Sequence, residues 1–282
     1  MFLAFALLLN LSDSRQAHTR DHGKMAAPYP QVVLFGDSLF QAASGLQEGF
    51  SFQAALQLHC IRRFDVVNRG FSGYNTSQAL KALPDVFPAP SPQGPKIAYF
   101  FVLLGANDAA LYMEEENQHV DLDAFTANLR NIITHPHITG HKPHVVLVTP
   151  PPLDEIRFAK EDLEKGKPYV TRHAKISASY AEAVRKVAGE VDGVVLVDLW
   201  KAVMDVAVAN TPGFDASSGL LGDPSSGQSG YLEELLPDGL HMNGKAYKIF
   251  FDAIAPHIPE NPSPTNEDYI FPDWRVAPWL EG

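Results

Sequence analysis

Five short apolar runs set the limits on what this chain can fold into. They are Val32 to Phe35, Asp65 to Asn68, Ile97 to Leu104, His144 to Thr149 and Val194 to Asp198. Each is rich in Val, Leu, Ile or aromatics and nearly continuous in hydrophobicity, the pattern of a strand buried on both faces. Between them the apolar spacing turns helical, as in Phe125, Leu129, Ile132 and Ile133, or Ile176, Tyr180, Ala183, Val184 and Val187. Strands alternating with helices predict an α/β fold, with a parallel sheet covered by helices. A chain of 282 residues, 45% of them hydrophobic, is long enough to bury a core on both faces of that sheet. One α/β domain over residues 25–258 is expected, because no repeat, coiled coil or linker interrupts it.

In an open parallel sheet ligands bind beyond the carboxyl ends of the strands. Four segments end there on polar residues: Gly36-Asp37-Ser38-Leu39, "NRGFSGYN" from Asn68, Gly105-Ala106-Asn107-Asp108, and Asp238-Gly239-Leu240-His241 near the end of the chain. Each has a plain reading by itself. Gly-Asp-Ser makes a turn and a helix cap, a glycine in "FSGY" serves a turn, "GAND" caps the next helix, and Asp238 with His241 forms a surface pair before a helix starting near Asn243. Their joint occurrence in this order carries more.

The combination resembles the SGNH hydrolases, also called GDSL esterases and lipases, over about Val32 to Tyr247. Within them, "VVNRGFSGYNT" and "TPPPLDE" (Thr149 to Glu155) are most similar to the isoamyl acetate-hydrolysing esterases. The resemblance implies a flavodoxin-like three-layer α/β/α sandwich with a central parallel sheet. It implies Ser38 as nucleophile, Asp238 and His241 as the rest of a catalytic triad, and Ser38, Gly73 and Asn107 as oxyanion-hole donors. Gly70 competes with Gly73; the family's spacing favours Gly73, five residues after Asn68.

The chemistry of these residue types agrees. A serine hydroxyl needs a base within hydrogen-bond reach, and imidazole can take and return a proton near neutrality. Asp238, three residues before His241, can accept its Nδ1–H and stabilise the imidazolium. Glycine at 73 leaves the substrate's approach open, and Asn107 donates to a developing oxyanion without bringing a negative charge. Asp37 and Asp108 read as structural caps. The expected reaction is hydrolysis of short-chain carboxylic esters, such as acetates of small alcohols, through an acyl-serine intermediate. A carbohydrate or polyol acetylesterase, a thioesterase or an acyltransferase would carry the same triad. A binding protein that kept the fold without activity is the reading from a different class. Parts of Gln41 to Ser51, Leu153 to Phe158 and residues 210–237 are expected to wall the acyl pocket.

Other features limit partners. A formal net charge of −11 argues against nucleic acid, whose binding depends on clustered Lys and Arg. No phosphate-cradling glycine loop is present, so no cofactor is implied. The single cysteine, Cys60, reads as a small buried hydrophobe. His135, His137, His141 and His144 crowd one stretch, but its prolines and glycine predict a loop between helix and strand rather than a metal site. "MEEENQHVDLD", from Met113, reads as a solvated acidic face before a helix, and residues 210–230 as a long surface loop.

The ends are read separately. "MFLAFALLLNL" resembles the apolar core of a signal peptide, yet no Lys or Arg precedes it and no small-x-small site follows. It is too short to span a bilayer. Residues 1–24 are therefore expected to be a dispensable extension and the protein cytoplasmic, with secretion the alternative. A glycan at the sequon Asn75-Thr76-Ser77 would obstruct the expected site. Residues 259–282, rich in proline and aromatics, read as an extended arm on the domain or on a second subunit, which allows a homodimer.

Overall fold

The structure, a computed structural model, describes residues 29–259. The predicted extension over 1–24 and, apart from Pro259, the predicted arm over 259–282 lie outside the described residues. The strands are β1 (Gln31–Gly36), β2 (Asp65–Gly70), β3 (Ile97–Leu103), β4 (His144–Val148) and β5 (Val195–Val197). All pair in parallel in the order β2-β1-β3-β4-β5, the flavodoxin-like order. The predicted strands thus all form, with ends shifted by one or two residues.

The helices are α1 (Ser38–Gln41), α2 (Phe52–His59), α3 (Thr76–Val86), α4 (Leu122–Ile133), α5 (Pro136–Thr139), α6 (Glu155–Glu164), α7 (Ala174–Glu190), α8 (Leu199–Ala209) and α9 (Gly244–Ile254). Side chains alternate across a strand, so β1 feeds two cores at once. Val32 and Leu34 pack with Leu39, Phe52, Val203 and Phe250 from α1, α2, α8 and α9. Val33 and Phe35 pack with Leu83, Phe125 and Val184 from α3, α4 and α7. That is why the strand reads as an unbroken apolar run.

Two loops are more structured than their composition suggests. Residues 210–230 do not simply run over the surface, since Leu221, Asp223 and Ser229 are buried. Ser229 Oγ donates to Asp154 Oδ1 at 2.8 Å, and Asp223 Oδ1 accepts from Ser225 N and Oγ. The acidic stretch from Met113 is solvated only in part. Val120 is buried, its carbonyl accepting from Tyr180 Oη at 2.5 Å, and the half-buried Gln118 donates to the Gly73 carbonyl.

The four clustered histidines serve the loop and strand around them. His135 Nδ1 accepts from His137 N, His137 Nδ1 hydrogen-bonds to the Phe87 carbonyl at 2.6 Å, His141 Nδ1 accepts from Ile97 N, and His144 stacks on Tyr99. Among the described residues, no group of three His, Cys, Asp or Glu could hold a metal ion. Cys60 is fully buried, which pushes its thiol up to about 11. None of the described helices is long and apolar enough to cross a membrane.

Candidate active site

The chain reverses its direction of travel across the sheet between β1 and β3, and Ser38 and Asn107 follow the carboxyl ends of these two strands. Gly36 makes the first turn feasible: a Cβ there would lie 2.2 Å from the Leu103 carbonyl oxygen. Asp37 caps α1, its Oδ1 accepting from Leu39 N at 2.9 Å, and Ser38 becomes the first helical residue. Asn68 Nδ2 donates to the Phe40 carbonyl at 2.6 Å and anchors α1 over β2. Gly70 permits the same approach, because a Cβ on it would sit 2.1 Å from Gln41 N.

His241 reaches Ser38 from the loop before α9. Its Nε2 lies 3.0 Å from Ser38 Oγ, and its Nδ1 lies 2.6 Å from Asp238 Oδ2. Asp238 Oδ1 accepts from the backbone N–H groups of Leu240 and His241, at 2.9 and 2.7 Å. Burial works against its charge, but the hydrogen bonds from the His241 ring and from the two amides outweigh it and hold Asp238 down at about 2. An ionised Asp238 accepts from Nδ1–H, which leaves Nε2 as the acceptor facing the serine hydroxyl. The loop has little freedom: Gly239, at φ +86°, would place a Cβ 2.5 Å from the Asp154 carbonyl, and its own carbonyl accepts from Asp154 N at 2.9 Å.

Gly73 and Asn107 follow the carboxyl ends of β2 and β3, the strands on either side of β1. Gly73 is the third residue of a turn closed by Tyr74 N on the Phe71 carbonyl, and its φ of +82° is one that favours glycine. Asn107, 5% exposed, donates from Nδ2 to the Tyr74 carbonyl at 2.9 Å. Asp108 accepts from Thr76 N and Oγ1 at 2.9 and 2.5 Å, joining the end of β3 to the start of α3. Asp37 and Asp108 thus act as the caps and tethers expected of them. Burial pushes Asp37 up to about 7 and Asp108 to about 6, against the pull of their hydrogen bonds from Leu39 and Thr76.

Two residues that no motif marked complete the arrangement. Gln118 Nε2 donates to the Gly73 carbonyl at 3.0 Å. Arg172, 8% exposed, donates from Nη2 to Asn107 Oδ1 at 3.1 Å and to Gln118 Oε1 at 2.8 Å, and from Nε to the Ala106 carbonyl at 3.2 Å. The acidic context of Gln118 and the isolation of Arg172 between two helices hide both in the sequence. Asn75 of the sequon is buried, its Nδ2 donating to the Gln118 carbonyl at 2.9 Å and its Oδ1 capping Gln78 N.

A cleft of about 520 Å³ opens beside Gly73, lined by Gln118, Phe158, Lys165, Lys167 and Arg172 among others. Of the segments expected to wall a pocket, only the one ending at Phe158 reaches this cleft. Ser38, Asp238 and His241 do not line it; residues 111–118 form one wall, held by Gln118 on the Gly73 carbonyl and by the ion pair of Glu116 with Lys167.

The chain is similar to known proteins in sequence and in fold. The family model described as GDSL-like Lipase/Acylhydrolase matches residues 34–249. An isoamyl acetate-hydrolyzing esterase 1 homolog of Bos taurus is 34% identical over 253 residues, covering 88% of each chain. The isoamyl acetate-hydrolyzing esterase of Saccharomyces cerevisiae is 30% identical over 257 residues, covering 88% of this chain and 94% of the yeast protein. The crystal structure of a lipase/acylhydrolase from Enterococcus faecalis superposes with a TM-score of 0.53 at 21% identity, over 81% of this chain and 95% of that one.

Proposed function

The chain belongs to the GDSL-like lipase/acylhydrolase family and is a carboxylic ester hydrolase, and from that premise we propose that it cleaves acetate-type esters of small alcohols through an acyl intermediate on Ser38. The observation that carries this reading is the unbroken hydrogen-bonded chain from Ser38 Oγ through the His241 ring to Asp238.

Ser38 Oγ attacks the ester carbonyl as His241 Nε2 takes the hydroxyl proton, and Asp238 stabilises the imidazolium without taking a proton itself. The carbonyl oxygen becomes an oxyanion that accepts from the backbone N–H groups of Ser38 and Gly73 and from the second Nδ2–H of Asn107. Neither Gly73 N nor that second proton has another acceptor among the described residues, which supports the assignment. Collapse of the tetrahedral species breaks the bond to the alcohol oxygen, which leaves with the proton from His241. Water then attacks the acyl carbonyl as it gives its proton to the same nitrogen, and that proton passes to Ser38 Oγ as its bond to the acyl carbon breaks and the acid is released.

The names of the cattle and yeast relatives support isoamyl acetate as first substrate. The polar walls of the cleft, with Gln78, Asn117 and Lys165, favour acetylated polyols as a second reading. Treatment of the protein and its Ser38→Ala variant with a fluorophosphonate, followed by intact mass, tests the nucleophile. One adduct on the wild type and none on the variant is expected; an adduct on both would remove Ser38 from the role. Comparing kcat/KM for isoamyl acetate and glyceryl triacetate separates the substrate readings.

A further inference from the structure

Arg172, Asn107, Gln118 and the Gly73-Tyr74 peptide segment form a closed ring of hydrogen bonds. Arg172 Nη2 donates to the oxygens of both side-chain amides; Asn107 then donates to the Tyr74 carbonyl and Gln118 to the Gly73 carbonyl. Guanidinium is a donor only, so it decides which end of each amide faces it. A flipped Asn107 would set its NH₂ against that guanidinium and turn an oxygen toward the substrate. A flipped Gln118 would bring its oxygen against the Gly73 carbonyl.

The position of Arg172 is itself unusual. It is 8% exposed, yet no carboxylate lies within 4.0 Å of it among the described residues. Burial works against its charge, which Asp162, Asp37 and Asp238 favour from beyond ion-pair distance, and every hydrogen bond it makes goes to the loop after β3 or to Gln118. Its backbone is fixed independently, by Leu111 N on the Thr171 carbonyl at 2.7 Å and by Thr171 N and Oγ1 on Asp162 Oδ2 at 2.7 and 2.9 Å.

We propose that Arg172 and Gln118 are positioning residues, which lock the Asn107 amide and the Gly73 turn in the orientation that presents their N–H groups to the oxyanion. This rests on the oxyanion reading of Gly73 and Asn107 given above. The relay touches neither the nucleophile nor the base. Its expected effect is on the transition state, where the negative charge on oxygen develops, and the Asn107→Ala background separates that effect from the longer-range field of Arg172 on Asp238.

The test is a double-mutant cycle of Arg172→Met with Asn107→Ala, followed by kcat and KM on isoamyl acetate, with thermal melting as a check on folding. Arg172→Met alone is expected to lower kcat about 10- to 100-fold and to move KM less than about threefold. In the Asn107→Ala background the same change should cost less than about threefold more, because the amide it positions is gone. Gln118→Leu should lower kcat in the same manner. If Arg172→Met does not fold, Arg172→Lys takes its place in the cycle, since an ammonium keeps the charge but lacks the planar geometry. Losses at 107 and 172 that multiply in full, or a loss confined to KM, overturn the relay alone. An unchanged kcat in Asn107→Ala, with Ser38→Ala inactive, overturns the oxyanion reading and the relay with it.

Discussion

Tyr247 donates its hydroxyl to the Leu39 carbonyl at 2.6 Å, across 208 positions of sequence, and so ties the helix after His241 to the helix that begins with Ser38. Both residues are buried. The bond gives the Leu39 carbonyl a buried partner in a four-residue helix whose next two carbonyls, of Phe40 and Gln41, accept from Asn68 Nδ2 and Ser44 Oγ.

Tyr247→Phe removes that bond and leaves the ring in place. A buried acceptor left unsatisfied costs about 1–3 kcal/mol. Denaturant unfolding should show that loss, and kcat should fall severalfold with little change in KM as the Ser38 to His241 distance loosens. An unchanged midpoint and rate would show that the two helices are held together by packing alone.

Asp238→Asn keeps the shape of the loop and the acceptor for the two backbone amides. What it loses is the charge that fixes the His241 tautomer. A drop in kcat of about 10³- to 10⁴-fold is expected, with the melting temperature changed by only a few degrees. Retention of a tenth or more of the wild-type rate would remove Asp238 from the triad.

Gly70→Ala and Gly73→Ala separate the two neighbouring glycines. A methyl on Gly70 collides with the backbone of Gln41, so that variant should fail in stability. A methyl on Gly73 meets only Gln118 Nε2, at 3.4 Å, and its positive φ costs about 1–2 kcal/mol. Gly73→Ala should therefore fold and lose kcat. Thermal melts beside initial rates read both, and a stable, fully active Gly73→Ala would end its part in the oxyanion site.

Asp37 supplies a pH signature in stability. Its carboxyl stands at about 7 in the fold, raised from 3.8 chiefly by burial. Between those values the folded protein holds a proton that the unfolded chain has released. This group therefore makes stability fall as pH rises from about 4 to 7, with the full cost present above about 7. Asp37→Asn keeps the shape, and the amide oxygen can still cap Leu39 N. Its stability relative to wild type should rise by up to about 4 kcal/mol between pH 4 and pH 8. Denaturant midpoints that run parallel across that range would contradict the shift.

The sheet was legible because both of its faces are covered, so each strand is announced by an apolar run such as Ile97 to Leu103. Ser38, Gly73, Asn107, Asp238 and His241 could be named because the four short segments that hold them, taken together, resemble a known family, each segment having a plain reading by itself; the structure brings these segments to one end of the sheet. Gln118 and Arg172 were not, since their partners come from segments far apart and nothing local in "ENQHV" or "VTRHA" requires an amide or a guanidinium. Ser229 was hidden similarly, in a stretch whose glycines and serines signal a loop but not that it docks on Asp154.

The division of the core has a bearing on how such an enzyme can change. Ser38 and His241 are seated on the layer that holds Leu39, Met242 and Phe250, whereas Gln118 and the start of α3 lean on the layer that holds Ala79, Val120 and Phe125. In the proposed mechanism the first layer thus carries the base and, through Ala106, the loop of Asn107, while the second braces the Gly73 turn through Gln118. Drift in the second layer can retune that turn while the reach of the base is kept, so selection can act on one oxyanion donor almost as if it were a separate trait.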